Sequence, residues 1–252
     1  MSGHSKWAGI KHKKAVVDAR RGQVFTKVAR ELSVSAREGG PDPDGNFRLR
    51  LAIQKAREVN MPADNIERAI QRGAGGKEGV QLEEVRYEGY GPHGVAVMVD
   101  TVTDNRNRTV AAIRNVFTRS GGSLGESNSV AWMFSQQGVL RVQGAGRDPE
   151  ELALELLDVV DVGDDGDVSV DGGEVQVTVD PTRFEATRRA LEERGYSLDS
   201  AEVTMNPSTS VPLDARQAPA VLRLLDALED HDDVQQVYAN AEIPDEVLET
   251  VG

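Results

Sequence analysis

Val139-Leu-Arg-Val142, Pro149-Glu-Glu-Leu-Ala-Leu-Glu-Leu-Leu-Asp-Val-Val160, Val168-Ser-Val170, Val175-Gln-Val-Thr-Val179, Arg183–Arg194 and Ser200-Ala-Glu-Val-Thr-Met205 follow one another in that order. The four short runs are rich in valine and set apolar against polar residues with a period near two, the mark of half-buried strands. The two long runs carry apolar residues at helical spacing, and Pro149 suits the first turn of a helix. Strand, helix, hairpin, helix, strand is the order of the split βαβ, ferredoxin-like arrangement. Residues 136–206 are therefore predicted to form an α+β domain of that type.

The flanking segments share a second domain. Upstream, Val85, Tyr87 and then Val95–Val102 predict two strands joined by the turn Gly91-Pro92-His93-Gly94. A helix is predicted from about Asn107, with Val110, Ile113 and Phe117 inward and Gly121-Gly122 at its end, and Val130–Phe134 reads as a third strand. Downstream, Ala215–Glu229 is a helix with Val221, Leu224, Leu225 and Leu228 on one face, and Val234–Tyr238 is a strand. This last pair has no sheet of its own, so it should complete the earlier unit. The prediction is a discontinuous domain, 78–135 plus 207–252, with 136–206 inserted in it.

Ahead of both lies a helical segment. Phe25, Val28, Leu32 and Ala36 form one stripe ended by Gly39-Gly40, and Pro41–Gly45 is a turn. A second helix turns Leu49, Ala52, Ile53 and Ala56 inward and sets Arg50 with Arg57, and Arg48 with Lys55, on outer faces. A third begins at Pro62, buries Ile66, Ala69 and Ile70, and is predicted to stop at Gly73, where a glycine-rich linker to Gly79 starts. The expected fold class is α+β multidomain: an N-terminal three-helix bundle, residues 1–77, then two α+β domains, one ferredoxin-like and inserted in the other.

Charge divides along the same line. The 252-residue chain has a formal net charge of −13, which taken alone disfavours nucleic acid as a partner. Yet residues 1–77 carry 16 Lys+Arg against 8 Asp+Glu, and residues 78–252 carry 13 against 34. All seven lysines, Lys6, Lys11, Lys13, Lys14, Lys27, Lys55 and Lys77, fall in the first segment. Such asymmetry points to a nucleic-acid-binding arm on an acidic body. There is no cysteine, hence no disulfide, thiolate metal site or cysteine nucleophile. The longest apolar run, Val95–Val99, is far shorter than the roughly 20 residues of a membrane span, and no secretory signal is present. A cytoplasmic protein without a membrane partner is expected.

The most informative stretch for chemistry is Ser2-Gly-His-Ser-Lys-Trp-Ala-Gly-Ile-Lys-His-Lys-Lys14, with Arg20-Arg21 beyond it. Lys6, Lys11, Lys13, Lys14, Arg20, Arg21 and Lys27 can neutralise phosphates and release counterions, which gives sequence-independent affinity. Trp7, His4 and His12 offer flat faces for base stacking, each worth roughly 1–3 kcal/mol. The duller account of Trp7 is packing against the bundle. In Asp104-Asn-Arg-Asn-Arg108, Arg106 and Arg108 sit at a helix start where an anion could bind, while capping and local ion pairs explain the same residues equally well.

Enzyme chemistry finds no foothold in the sequence. With Asp161 at the first position of a calcium loop, Gly163 and Gly172 fall where carboxylates are needed, so an acidic hairpin turn is expected there. No Walker A string occurs, and Gly73-Ala-Gly-Gly76 and Gly144-Ala-Gly146 lack dinucleotide-site spacing. A nuclease based on His4, His12, Lys6 and Lys11 is the remote alternative, since a flexible arm does not hold catalytic geometry. No cofactor and no metal site are expected.

Several longer strings are familiar. Gly3-His-Ser-Lys-Trp-Ala8, Lys11-His-Lys-Lys-Ala15, Asp18-Ala-Arg-Arg-Gly22, Asn65-Ile-Glu-Arg-Ala69, Tyr87-Glu-Gly-Tyr-Gly91, Thr103-Asp-Asn-Arg-Asn-Arg-Thr109, Ser200-Ala-Glu-Val203 and Asp233-Val-Gln-Gln-Val-Tyr238 resemble the hallmark strings of the YebC family, in order and nearly end to end. The resemblance implies a three-domain cytosolic protein, a helical domain followed by two α+β domains with one inserted. It implies a DNA-binding transcriptional regulator, or alternatively a factor that binds ribosomal RNA or mRNA at the ribosome and relieves stalled synthesis. Two departures stand out. Gly9 replaces an expected asparagine, and Glu126-Ser-Asn128 replaces a stretch that usually ends in glycine before Ser129-Val130.

Overall fold

The computed structural model describes residues 18–75, 82–164, 166–171, 173–244 and 247. These fall into two units, one of residues 134–208 and one containing the rest. Each is α+β with antiparallel sheet.

The larger unit starts with three helices, α1 (Asp18–Gly39), α2 (Phe47–Glu58) and α3 (Ala63–Ala74). Val28, Leu32 and Ala36 of α1, Leu49, Ala52 and Ala56 of α2, Met61, and Ala69 of α3 form one buried cluster. Asn46 joins α1 to α2: its Oδ1 accepts from the Leu49 amide at 3.0 Å, and its Nδ2 donates to the carbonyls of Ser35 (2.7 Å) and Gly40 (2.8 Å). Thus one buried amide caps α2 and satisfies orphan carbonyls near the end of α1. The predicted stop at Gly73 needs correcting. Helix α3 runs on through Ala74, and Gly73 is buried where a Cβ would overlap the backbone of Ser33. Close approach of α3 to α1, not termination, requires glycine there. Ser33 seals the crossing by hydrogen-bonding the carbonyls of Ala29 and Ala69.

The same unit holds a four-stranded sheet in the order β3-β1-β2-β9, built from β1 (Glu83–Tyr90), β2 (Ala96–Thr103), β3 (Ser123–Leu124) and β9 (Val234–Ala239). Strands β1 and β2 pair in full register from Glu83↔Thr103 to Tyr90↔Ala96 through the tight turn at Pro92–Gly94, where His93 (φ 62) and Gly94 (φ 78) are left-handed. Strand β9 pairs antiparallel with β2, so the C-terminal strand joins a sheet begun far upstream. Helix α4 (Arg106–Arg119) and helix α7 (Ala218–Glu229) pack Ile113, Phe117, Val221, Leu224, Leu225 and Leu228 on Val95, Val97 and Val99. A two-stranded parallel ladder of β8 (Val211–Pro212) with β10 (Ala241–Glu242) stands beside it.

The third strand lies elsewhere than expected. Ser123–Leu124 occupies the edge beside β1, while Ala131–Met133 is a single 3-10 turn. The run Val130–Phe134 alternates poorly because Val130 is buried for a different reason: its amide is held by the buried carboxylate of Glu88.

The unit of residues 134–208 carries β4 (Phe134–Val142), α5 (Pro149–Val159), β5 (Asp167–Asp171), β6 (Glu174–Val179), α6 (Phe184–Glu193) and β7 (Leu198–Pro207). Its sheet has the order β5-β6-β4-β7, every pair antiparallel. Leu140, Val177, Val179, Leu152, Leu156, Phe184 and Leu191 are buried. Gly138 in β4 leaves room for the Phe184 ring, since a Cβ there would meet it.

Candidate nucleic-acid interface

His4, Lys6, Trp7, Lys11, His12, Lys13 and Lys14 lie outside the described residues. Arg20 and Arg21 belong to the opening turn of α1, with their side chains also outside the described part.

Farther along α1, Lys27 is half-buried, and its Nζ donates to the carbonyl of Glu229 at the C-terminal end of α7. A cation there satisfies an orphan carbonyl at the negative pole of the helix. One turn on, Arg30 donates to the Asp232 carbonyl at 2.6 Å and to Asp233 Oδ1 at 2.7 Å. The Asp233 side chain is only 2% exposed. It also receives Arg108 Nη2 at 3.0 Å and the Thr109 hydroxyl at 2.6 Å, both on Oδ2. Its own amide donates to His231 Nδ1, and its carbonyl accepts from the Val102 amide. Burial raises the Asp233 carboxyl, but the hydrogen bonds from Thr109 and Arg108 and the charges of Arg30 and Arg108 outweigh it and hold the group below the ordinary carboxylate value. Asp233 therefore joins α1, α4 and β9 at one point.

Asn105, rather than Asp104, caps α4 by accepting from the Arg108 amide at 3.0 Å. Asp104 instead pairs with the Arg108 guanidinium at 2.7 Å. Of the two arginines at this helix start, Arg108 is engaged by two carboxylates, while Arg106 is exposed and makes no side-chain hydrogen bond or ion pair among the described residues.

The outer helical cations divide in the same manner. Arg48 is gripped by Glu31, Glu38 and Glu84; hydrogen bonding to Glu84 raises its pKa and lowers that of Glu84. Arg50 donates to the carbonyls of Pro43 and Asp44. Lys55, Arg57, Arg68 and Arg72 have no carboxylate partner among the described residues, so α2 and α3 keep charge available to an anion.

Two features were missed from sequence. The first is the Asp233 joint, because a lone Asp before a strand carries no local pattern that names partners on α1 and α4. The second is a clamped loop. Glu88, buried on β1, accepts from the amides of Asn128, Val130 and Ala131, each at 2.8 Å. Asn128 takes φ 67, the left-handed conformation for which glycine was expected, and asparagine tolerates it. The loop presents Trp132, 70% exposed, whose indole N–H donates to the Ser129 carbonyl at 3.2 Å; the Tyr90 hydroxyl reaches the same carbonyl at 3.3 Å. Among the described residues no cluster of three or more His, Cys, Asp or Glu could hold a metal ion, and no helix is long and apolar enough to cross a membrane.

A basic helical segment tied to an antiparallel α+β body by the ion pair of Arg30 with the buried Asp233 and by the exposed pair of Arg48 with Glu84 defines the class. Residues 5–76 match the family described as the TACO1/YebC protein N-terminal domain, and residues 82–241 match the TACO1/YebC second and third domain. The chain belongs to the TACO1/YebC family. Relatives named "Probable transcriptional regulatory protein" occur in Shewanella oneidensis, 55% identical with all of both chains covered, and in Dictyoglomus thermophilum, 49% identical with the same coverage. The crystal structure of a conserved hypothetical protein from Aquifex aeolicus is similar with a TM-score of 0.81 and 46% identity, covering 91% of this chain and 93% of that one.

Proposed function

We propose that this chain is a non-catalytic, DNA-binding transcriptional regulator whose affinity for nucleic acid resides in residues 1–77, with the cations of the N-terminal arm as principal phosphate contacts. The observation that carries this reading is the charge division: every lysine and a twofold excess of cations over carboxylates lie in that segment of an otherwise acidic chain. The regulatory naming of full-length relatives supports it. The cations of α2 and α3 without a carboxylate partner among the described residues, exposed at Arg57, Arg68 and Arg72 and half-buried at Lys55, extend the basic surface, and Arg106 is a candidate for a further contact. Lys27 and Arg108, already engaged by protein groups, would reach a phosphate only by sharing those bonds. The antiparallel order β5-β6-β4-β7 with its two crossover helices supports a ferredoxin-like reading of residues 136–206, and the separate core of α1–α3 supports a three-helix bundle.

Sucrose-gradient fractionation of cell lysate tests the target. A peak in the soluble fraction that pulls down DNA is expected. Co-migration with ribosomal subunits that survives DNase would replace DNA by ribosomal RNA or mRNA as the partner of the same basic segment.

A further inference from the structure

Helix α5 is apolar on two sides. Leu152, Ala153 and Leu156 are buried, yet Leu154 and Leu157 are 67% and 49% exposed. At 100° per residue, Glu150, Leu154 and Leu157 share the outer face, with Glu151 and Asp158 along its flank. Glu150, Glu151 and Asp158 are exposed and have no ion-pair partner among the described residues, whereas Glu155 is taken by Arg147 and Tyr196. A helix that is apolar beyond its core-facing stripe has a second surface to cover.

Charge selects what covers it. Residues 134–208 contain 6 Arg and no Lys against 17 Asp+Glu. Nucleic acid and anionic lipid are repelled by such a surface, and a second copy would set carboxylates against carboxylates across the contact. A basic protein segment meets both requirements, with apolar side chains over the leucines and Lys or Arg beside the carboxylates. We propose that the outer face of α5 is a docking site for a basic amphipathic protein segment, seated on Leu154 and Leu157 and oriented by Glu150, Glu151 and Asp158. This surface is separate from the nucleic-acid reading and does not depend on it.

The test uses the full-length chain and a fluorescein-labelled synthetic leucine–lysine peptide whose leucines share one helical face, followed by anisotropy. A scrambled peptide of equal charge is the control. The double variant Leu154→Ser/Leu157→Ser should bind the patterned peptide at least about tenfold more weakly, since it removes the apolar seat. Glu150→Gln/Asp158→Asn should weaken binding by about threefold and flatten its salt dependence. Circular dichroism should be unchanged, because all four positions are exposed. In parallel, backbone amide shifts of the unaltered chain should change along α5 when the peptide is added. Equal binding of patterned and scrambled peptides, undiminished binding by the serine variant, shifts confined to other elements, or no binding at all would each overturn the proposal.

Discussion

The guanidinium of Arg30 sits 2.7 Å from the carboxylate of Asp233, 203 residues further along the chain, and joins the N-terminal helix to the last strand of the sheet it accompanies. Because the carboxylate is buried, its partners decide whether it stabilises. Asp233→Ala removes the acceptor of Arg30, Arg108 and Thr109 together and should lower stability by about 2–4 kcal/mol. Arg30→Met leaves Arg108 and Thr109 in place and should cost about half as much. Urea melts of the two variants provide the check. A change below about 0.5 kcal/mol for Asp233→Ala would mean that the pair is incidental.

The same carboxylate makes stability depend on acid. The folded chain holds Asp233 below its ordinary value, so the unfolded chain takes up the proton first as pH falls. Its contribution is complete above the unfolded carboxylate value of about 4 and is lost as pH drops through the lower folded value. Urea midpoints should therefore fall on acidification below about pH 4, and Asp233→Asn should flatten that fall. An asparagine variant with the parent's full acid sensitivity would assign the effect to other carboxylates.

Gly73→Ala tests the helix crossing. Its methyl would strike the Ser33 backbone, which cannot swing aside as a flexible side chain can. Overpacking of this kind costs about 1–3 kcal/mol or more, against the gain of up to about 1 kcal/mol that alanine gives over glycine in an unconstrained helix. Thermal melts should show a lower midpoint. A higher one would mean that α1 and α3 can move apart freely.

Glu88→Ala releases three amides at once, that of Val130 buried and those of Asn128 and Ala131 part-buried. Each unsatisfied buried donor costs about 1–3 kcal/mol, so the loop should loosen before the sheet does. In a Trp7→Phe background the fluorescence anisotropy of Trp132 should fall. Unchanged anisotropy would show that the loop is held by something other than Glu88.

Much of this architecture is readable from the sequence because its periodicities are local. Val175–Val179 alternates as a strand, and Leu224, Leu225 and Leu228 mark a helix whichever neighbours they meet. Val130–Phe134 misleads for a physical reason: it is held by a side chain from another strand, so its apolar residues do not report a pleat. The Gly73 crossing is hidden likewise, since a helix stop and a close approach both call for glycine. The Asp233 joint depends on three elements far apart in sequence. Charge division along the chain is legible at once, but which cations are already spent on protein partners, as Arg48 and Arg108 are, requires coordinates.

The central claim is that phosphate contacts from the basic N-terminal segment carry the affinity, and the salt dependence of binding by the full-length chain tests it most directly. If about four phosphates are contacted, log K should fall against log salt with a slope of about −3 to −4. Lys13→Ala and Lys14→Ala should each weaken binding to any sequence and shrink that slope by about one. Trp7→Ala should leave the slope unchanged while costing roughly 1–3 kcal/mol if its ring stacks on a base. Affinity that does not vary with salt, or a slope untouched by both lysine variants, would contradict the account.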